Sequence, residues 1–229
     1  MKPDFYVLTW NDLLVSLLFI AFSLFLIKKW KLGLENTLLI GTLRTFVQLT
    51  LMGYVLTWFF DQQHWAFMLA LLLLMILIAS YEGTRRQKDE IPYFFPAMLA
   101  ALLGSAMLIL GTILLFILDV EPWYSPYAAI PIGGMIIGNG LNSTALTANR
   151  FVGELKHREK EIETLLALGA TPKLAVYDSM KASIHAALIP NINAMMTVGL
   201  VQLPGVMTGQ ILAGIDPIIA VRYQIMIMY

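Results

Sequence analysis

Apolar residues run along this chain in long blocks, and the polar ones gather in the gaps between them. A bilayer core about 30 Å thick takes roughly 20 apolar residues of helix, because each backbone amide left unpaired in lipid costs several kcal/mol. By that measure the pattern predicts helices near residues 8–27, 34–59, 65–81, 92–118, 128–148 and 181–203, with a seventh apolar stretch after Pro217. The first block opens Thr9-Trp10-Asn11-Asp12 without a basic lead-in or cleavage signal, so it reads as a retained span, its acid Asp12 near the headgroups. Only 12 residues follow Pro217, about 18 Å of helix, so the last span is expected to be truncated.

The polar gaps alternate in charge. Lys28, Lys29 and Lys31 fill the first, Arg85, Arg86 and Lys88 the third, and Arg150, Lys156, Arg158, Lys160 and Lys173 the fifth, with Lys181 at its exit. The intervening gaps carry Asp61, Gln62, Gln63 and His64, then Asp119 and Glu121, and no basic residue. That is the positive-inside pattern, which predicts an outward N-terminus (one basic residue, Lys2) and a cytoplasmic 149–180 segment. Trp10, Trp30, Trp58, Trp65 and Trp123 all fall at predicted span ends, where interfacial aromatics belong.

Composition sharpens the class. Of the 229 residues, 59% are hydrophobic and 13% charged, and mean hydropathy is +0.74, too few charges to cover a water-soluble surface. Fifteen basic residues balance fifteen acidic ones, which argues against a nucleic-acid binder. With no cysteine there is no disulfide, zinc-thiolate site, iron–sulfur cluster or cysteine nucleophile. The expectation is an all-α integral membrane protein of about seven transmembrane helices, one domain over 1–229, with an extended polar segment at 150–180.

That segment holds the sharpest pattern. From Glu154 to Thr171, Leu155, Ile162, Leu165, Leu166 and Leu168 form an apolar side, while Lys156, Arg158, Glu159, Lys160 and Glu163 stay wet. Gly169 suits a helix C-cap, and Ala170-Thr171-Pro172 turns the chain into another helix with proline in its first turn. Two helices joined by a short elbow offer a knob to a partner's groove; a solvated connecting helix is the competing reading.

Glu163, followed six residues later by Gly169-Ala170-Thr171-Pro172, resembles the coupling loop of ABC-transporter permeases, whose pattern is Glu-Ala-Ala, three residues, Gly-Ala-Ser. Thr164 and Leu165 stand in place of the alanines, and the Leu-Pro of the importer pattern is displaced to Ile189-Pro190. The segments Ile130–Asn139, Leu168–Pro172, Ala186–Pro190, Thr197–Val201, Leu203–Gly209 and Ala213–Pro217 stand in order and together closely resemble the FetB (YbbM) family of ABC permeases, bacterial iron exporters related to plant aluminium-tolerance permeases. The resemblance covers essentially the whole chain; family members continue about half a span past the position of Tyr229. It implies a bacterial inner-membrane permease that dimerises, exports iron or a related metal ion, and pairs with a separate ABC ATPase subunit that holds ATP and magnesium. Glu159, Ile162, Glu163, Leu166, Gly169, Ala170, Thr171 and Pro172 would then form the coupling contact. No Gly-Lys dipeptide occurs, so no Walker A loop is present, and no cofactor is expected in this chain.

Polar residues inside the blocks are the pathway or gate candidates. Arg44 falls mid-block, where a basic residue costs about 2.5–3.5 kcal/mol on insertion scales, and shares a stripe with Thr37, Gly41, Thr45, Gln48 and Met52. Pairing with Glu35 or helix-end carbonyls is the structural alternative to gating. Gly134, Gly138, Asn142, Ala145 and Asn149 share a small-residue face suited to helix packing or dimerisation, with Asn139, Asn142 and Ser143 able to hydrogen-bond across it. Pro190 is expected to interrupt the sixth span beside Asn191 and Asn193, and residues 203–217 read as an elbow or re-entrant segment, with Asp216 capping the last helix. Asp216, Asp119 and Glu121 offer outer-face oxygens to hard cations; solvated loop acids are the simpler reading. Met195, Met196 and Met207 are soft donors or apolar filler, and His64, His157 and His185 are dispersed. His185 is the histidine placed for a pathway; His157 and Glu161 share a charged helix face. No metal ligand set can be assigned. The sequence carries neither a nucleophile–base pair nor a His-Glu-x-x-His, so an intramembrane enzyme is disfavoured. A permease for a non-metal solute and a passive channel remain as alternatives.

Overall fold

A computed structural model describes residues 9–62, 64–87, 91–118 and 121–229. Lys2, Gln63, Lys88 and Asp119, which entered the sequence argument, lie outside them. The elements are α1 (Trp10–Lys29), α2 (Glu35–Gln62), α3 (Trp65–Arg85), α4 (Phe94–Thr112) with a wider π turn at Ile113–Ile117, α5 (Pro126–His157), α6 (Glu159–Ala167), α7 (Pro172–Ala175), α8 (Tyr177–Thr197), α9 (Gly205–Leu212) and α10 (Pro217–Met228). Among the described residues the one β feature is an isolated bridge between Val198 and Gln202.

Four helices are long and apolar enough to cross a membrane, over Asn11–Lys29, Glu35–Phe60, Trp65–Arg85 and Phe94–Ile117. They match the first four predicted spans to within a few residues. α5 and α8 have the length, 32 and 21 residues or about 48 and 31 Å, but interleave more polar side chains.

Two expectations change here. The fifth helix does not stop at 148; it continues to His157, because Asn149 to Lys156 holds no proline to break it. The sixth is not interrupted at Pro190; α8 runs through that proline and ends at Thr197, where the chain turns over Gly199. A proline inside a helix forfeits one backbone bond without ending it when neighbouring turns hold.

Helix ends follow local chemistry. Thr9 and Asp12 form a reciprocal capping box at α1, with the Thr9 N–H donating to Asp12 Oδ2 at 2.8 Å. Asp12 is therefore a helix cap as well as a polar end residue. α1 closes through paired bonds from Leu32 N–H to Ile27 O and from Lys31 N–H to Lys28 O, with Lys31 in the left-handed region at φ 53°. A side chain there costs about 1–2 kcal/mol, so glycine would be the easier residue. His64 caps α3, its Nδ1 accepting from the Ala66 N–H at 3.2 Å, and its ring stacks on Trp65. Asp216 caps α10 as expected, Oδ1 accepting from the Ile218 N–H at 2.8 Å.

The chain falls into two compact units. One takes the residues up to Asp61 with Gly205–Ile225, the other Gln62–Pro204 with Met226–Tyr229. In the first, α1 and α2 leave almost all of their apolar surface uncovered by protein. In the second, α3, α4 and α5 share a core of Met68, Leu72, Ile76 and Ala79, Met98, Leu102, Ala106 and Leu110, and Ala129, Ile132 and Ile137. The three- and four-residue spacing on α3 and α4 lays each set along one face, which is why these helices meet.

Glycine sets how closely they meet. A Cβ on Gly83 would strike the end of Met98 and come within 2.9 Å of Leu141 Cδ1; one on Gly140 would sit 2.8 Å from Leu102 Cδ2. The face expected from Gly134 and Gly138 is only half used, since Gly134 lies 3.1 Å from Met75 but Gly138 faces open space. Met98 is 1% exposed and has nowhere to swing. Gly83→Ala should therefore destabilise by about 1–3 kcal/mol. Gly138→Ala should be neutral or stabilising by up to about 1 kcal/mol. Thermal unfolding of both variants in detergent, with equal midpoints as the contrary result, checks this.

Candidate functional site

α5 and α8 are the arms of an antiparallel hairpin whose tip is formed by α6 and α7. The tip is built by local rules. At Arg158 the backbone leaves the helix (φ −105°, ψ 20°), so the predicted run from Glu154 to Thr171 is two helices, and His157 and Glu161 no longer share a face. α6 closes on Gly169 at φ 88°, with Ala170 N–H bonding Leu165 O and Gly169 N–H bonding Leu166 O, both at 3.0 Å. Only glycine takes that conformation without strain. Thr171 then caps α7, its Oγ1 accepting from the Leu174 N–H at 3.4 Å, and Pro172 occupies the first helical position.

Charge fixes the corner. Arg158 donates both arms of its guanidinium to Glu161, Nε to Oε2 at 2.8 Å and Nη2 to Oε1 at 2.6 Å, and its Nη2 lies 3.8 Å from Asp178 Oδ2 at the start of α8. One side chain thus ties the end of α5 and the first turn of α6 to the base of the returning arm. The fork holds the Glu161 carboxyl below its ordinary range and raises Arg158 further.

The tip's outer surface mixes apolar and acidic groups. Leu166, Leu168 and Leu174 are exposed, Leu168 by 80%, beside exposed Glu159, Glu163, Gly169, Thr171 and Pro172. Ile162, Leu165 and Ala170 are half-buried and Ala175 is buried. The apolar side read from the sequence is thus divided: Leu155, Ile162 and Leu165 are half-buried, whereas Leu166 and Leu168 are exposed.

About 21 Å up the hairpin, at 1.5 Å per residue, Asn191 Nδ2 donates to Ser143 Oγ at 3.1 Å. On another side of α5, Arg86 Nη1 donates to Asn142 Oδ1 at 3.1 Å, and Gln87 Nε2 to the Ala145 carbonyl at 3.4 Å. Asn142 and Ser143 thus bond across helices as their positions predict, tying α5 to the end of α3 on one side and to α8 on another. Between the arms, Ser179, Ser183 and Ala187 are buried at four-residue spacing; Ser183 Oγ satisfies itself on the Ser179 carbonyl at 2.6 Å. Sequence reasoning missed this small-residue stripe, although Ser-x-x-x-Ser-x-x-x-Ala is the signal that would have found it.

The other candidates lie apart. Asn139 lines a cleft of about 400 Å³ with Thr112, Met226 and Tyr229, and His185 and Asn193 are exposed on α8. Arg44 and Gln48 on α2, and Asp216 before α10, belong to the other unit. Among the described residues no group of three acidic or histidine side chains could hold a metal ion.

Comparison with known proteins gives this arrangement a context. The model of an uncharacterised protein family, UPF0014, matches residues 10–229. The UPF0014 membrane protein YjkA of Bacillus subtilis (strain 168) is 40% identical over 218 residues, covering 95% of this chain and 86% of its own. The Escherichia coli (strain K12) protein named "Probable iron export permease protein FetB" is 34% identical over 222 residues, 97% of this chain and 84% of that one. Arabidopsis thaliana "Protein ALUMINUM SENSITIVE 3" is 32% identical over 213 residues, 93% and 77% respectively. The resemblance read from the ordered motifs is thus matched over nearly the whole chain. No solved structure matches significantly.

Two predictions follow from the corner and the cap. A carboxylate held low contributes stability above its unfolded pKa and loses it as pH falls through the depressed folded value. Hydrogen-exchange protection across Glu159–Ala167, measured against the intrinsic rate at each pH, should therefore fall below the usual carboxylate range, and Glu161→Gln should remove that acid step. At neutral pH, Gly169→Ala should loosen the same amides by about 1–2 kcal/mol; unchanged protection would show that the left-handed cap is not what orders the tip.

Proposed function

The chain belongs to the UPF0014 family, and from that premise we propose that it is the membrane-spanning permease subunit of an ATP-driven ABC transporter. It exports iron or a related metal ion, and a separate subunit, holding ATP and magnesium, performs the hydrolysis. The observation that carries this reading is the hairpin tip: a short capped elbow, ordered by Gly169, Thr171 and the Arg158 fork, that exposes leucines and acids together. An exposed apolar helix face with a charged surround is the form that docks in a partner's groove. The residues in contact are Glu159, Ile162, Glu163, Leu166, Gly169, Ala170, Thr171 and Pro172.

In this mechanism the tip is cytoplasmic, the N-terminus is outside, and about seven spans cross the bacterial inner membrane. Closure of the ATPase on ATP presses on α6 and α7, and the arms carry the displacement into the bilayer. The Ser143–Asn191 and Arg86–Asn142 bonds are the interhelix contacts that inward- and outward-facing states exchange. Two copies of the permease enclose the route, along which Asn139, His185 and Asn193 offer polar side chains. Arg44, Gln48 and Asp216 act at its gates, a fixed cation being better suited to locking helices than to lining a cation path. The choice of iron rests on the relative named as an iron export permease.

Co-purification with an ABC ATPase, and ATP-dependent uptake of radioactive iron into inverted vesicles, test the assignment. Gly169→Trp and Glu163→Lys should each cut transport at least roughly tenfold, on the scale of an intersite coupling, while ATP hydrolysis and membrane insertion persist. Full transport by both variants removes the tip from the mechanism. Iron uptake that ignores ATP makes the protein a channel.

A further inference from the structure

The unit containing α1 and α2 carries a feature to which the transport reading assigns no ligand, beside the α2 positions Arg44 and Gln48 that it does use. Between the two helices runs a groove of about 840 Å³, lined mainly by apolar side chains such as Leu17, Ile20 and Ile27 of α1 and Leu34, Phe46 and Leu49 of α2. Leu17, Leu34, Phe46 and Leu49 remain between 49% and 69% exposed. Two of its hydroxyls bond within their own helices, Ser16 on the Leu13 carbonyl and Thr42 on the Leu38 carbonyl, and Thr37 and Thr45 add the remaining polar atoms to an otherwise apolar lining. From Leu17 to Ile27 is about 15 Å of helix, and from Leu34 to Leu49 about 22 Å. One leaflet of hydrocarbon is about 15 Å deep, half of a core about 30 Å thick.

The end of the groove at Ile27 and Leu34 opens beneath the α1–α2 turn. That turn presents Lys28, Lys29 and Lys31, none of which forms an ion pair among the described residues, and Trp30, 72% exposed. Glu35 in the first turn of α2 is the one acid nearby in sequence, leaving the turn net basic. Lys31 keeps a charged side chain at a left-handed position where glycine would be unstrained. Three unpaired cations and an interfacial indole, at the mouth of an apolar channel one leaflet deep, complement a single molecule with an anionic head and acyl tails.

We propose that the α1–α2 hairpin is a binding site for an anionic phospholipid. The phosphate is held by Lys28, Lys29 and Lys31, and an acyl chain lies in the groove between Leu17 and Leu49. Each lysine lends the attraction of a basic residue close to an anionic headgroup, and the groove removes a lipid chain from competition with its neighbours.

Native mass spectrometry of the full chain, titrated with phosphatidylglycerol or phosphatidylcholine of the same chains, reads the site directly. Wild type should retain phosphatidylglycerol preferentially, and the Lys28→Gln, Lys29→Gln and Lys31→Gln changes should erode that preference by roughly fivefold each. Gly41 lines the groove with nothing within 4 Å of a Cβ there, so Gly41→Phe should fill it and reduce retention of both lipids. A water-soluble glycerophosphate should not displace the bound lipid; displacement would reduce the site to a phosphate contact and overturn the acyl-groove assignment. Equal retention of both lipids by wild type, or a preference untouched by the three lysine changes, overturns the proposal. The chain lacks cysteine, so Leu49→Cys gives a clean covering assay. A disulfide between two copies in membranes would show a second chain in the groove and refute the lipid, whereas alkylation only from the lipid phase supports it. None of these readouts depends on ATP or iron, so failure here leaves the transport reading intact.

Discussion

In hydrocarbon a backbone N–H or C=O can find a partner only within the protein, and every described element of this molecule answers that constraint by being helical. What distinguishes one part from another is then decided at helix ends and at the few places where helices touch. The ends are closed by specific devices. Thr9 and Asp12 reciprocate at α1, His64 lends a ring nitrogen to α3, Asp216 a carboxylate to α10, and Gly169 a left-handed turn to α6. Contacts between helices are made by removing side chains, as at Gly83, Gly133 and Gly140, or by shortening them to serine and alanine, as between α5 and α8.

That division explains what could be read from the sequence. Span positions were legible where lysine, arginine and tryptophan bracket an apolar run, as at Lys28–Lys31, Trp65 and Arg85. The elbow at Gly169-Ala170-Thr171-Pro172 was legible because capping is decided within six residues. The continuation of α5 to His157 was not, because a ruler of apolar length measures the span and not the helix; nor was that of α8 through Pro190, because whether a helix tolerates a proline depends on what packs around it. The break at Arg158 escaped for the same reason: it is held by Glu161 and Asp178, the latter twenty residues away. Gly138 resembles Gly134 in sequence, and only the neighbouring helix tells them apart.

The candidate polar residues divide similarly. That Asn142 and Ser143 bond across helices was readable from their place on α5, but their partners, Arg86 and Asn191, were not, because each lies about fifty residues away; Asn139, His185 and Asn193 sit on α5 and α8 in surroundings that no local rule forecasts. Arg44 and Gln48 lie on a helix whose faces are mostly uncovered by this chain. For such a helix few contacts within the chain fix which way each side chain faces, so its sequence constrains chemistry more than contacts.

The two arms of the hairpin differ in one respect with mechanical weight. α5 carries its proline at Pro131, within two turns of its start, and from there to His157 its ladder of bonds is unbroken. α8 carries Pro190 about 20 Å from its base, leaving the Ala186 carbonyl without its usual amide donor just below the Asn191 latch. The stiffness of the pair is therefore unequal. Of the two arms α5 is the stiffer and α8 the more easily bent, at the turn where one backbone bond is missing beside the Asn191–Ser143 contact.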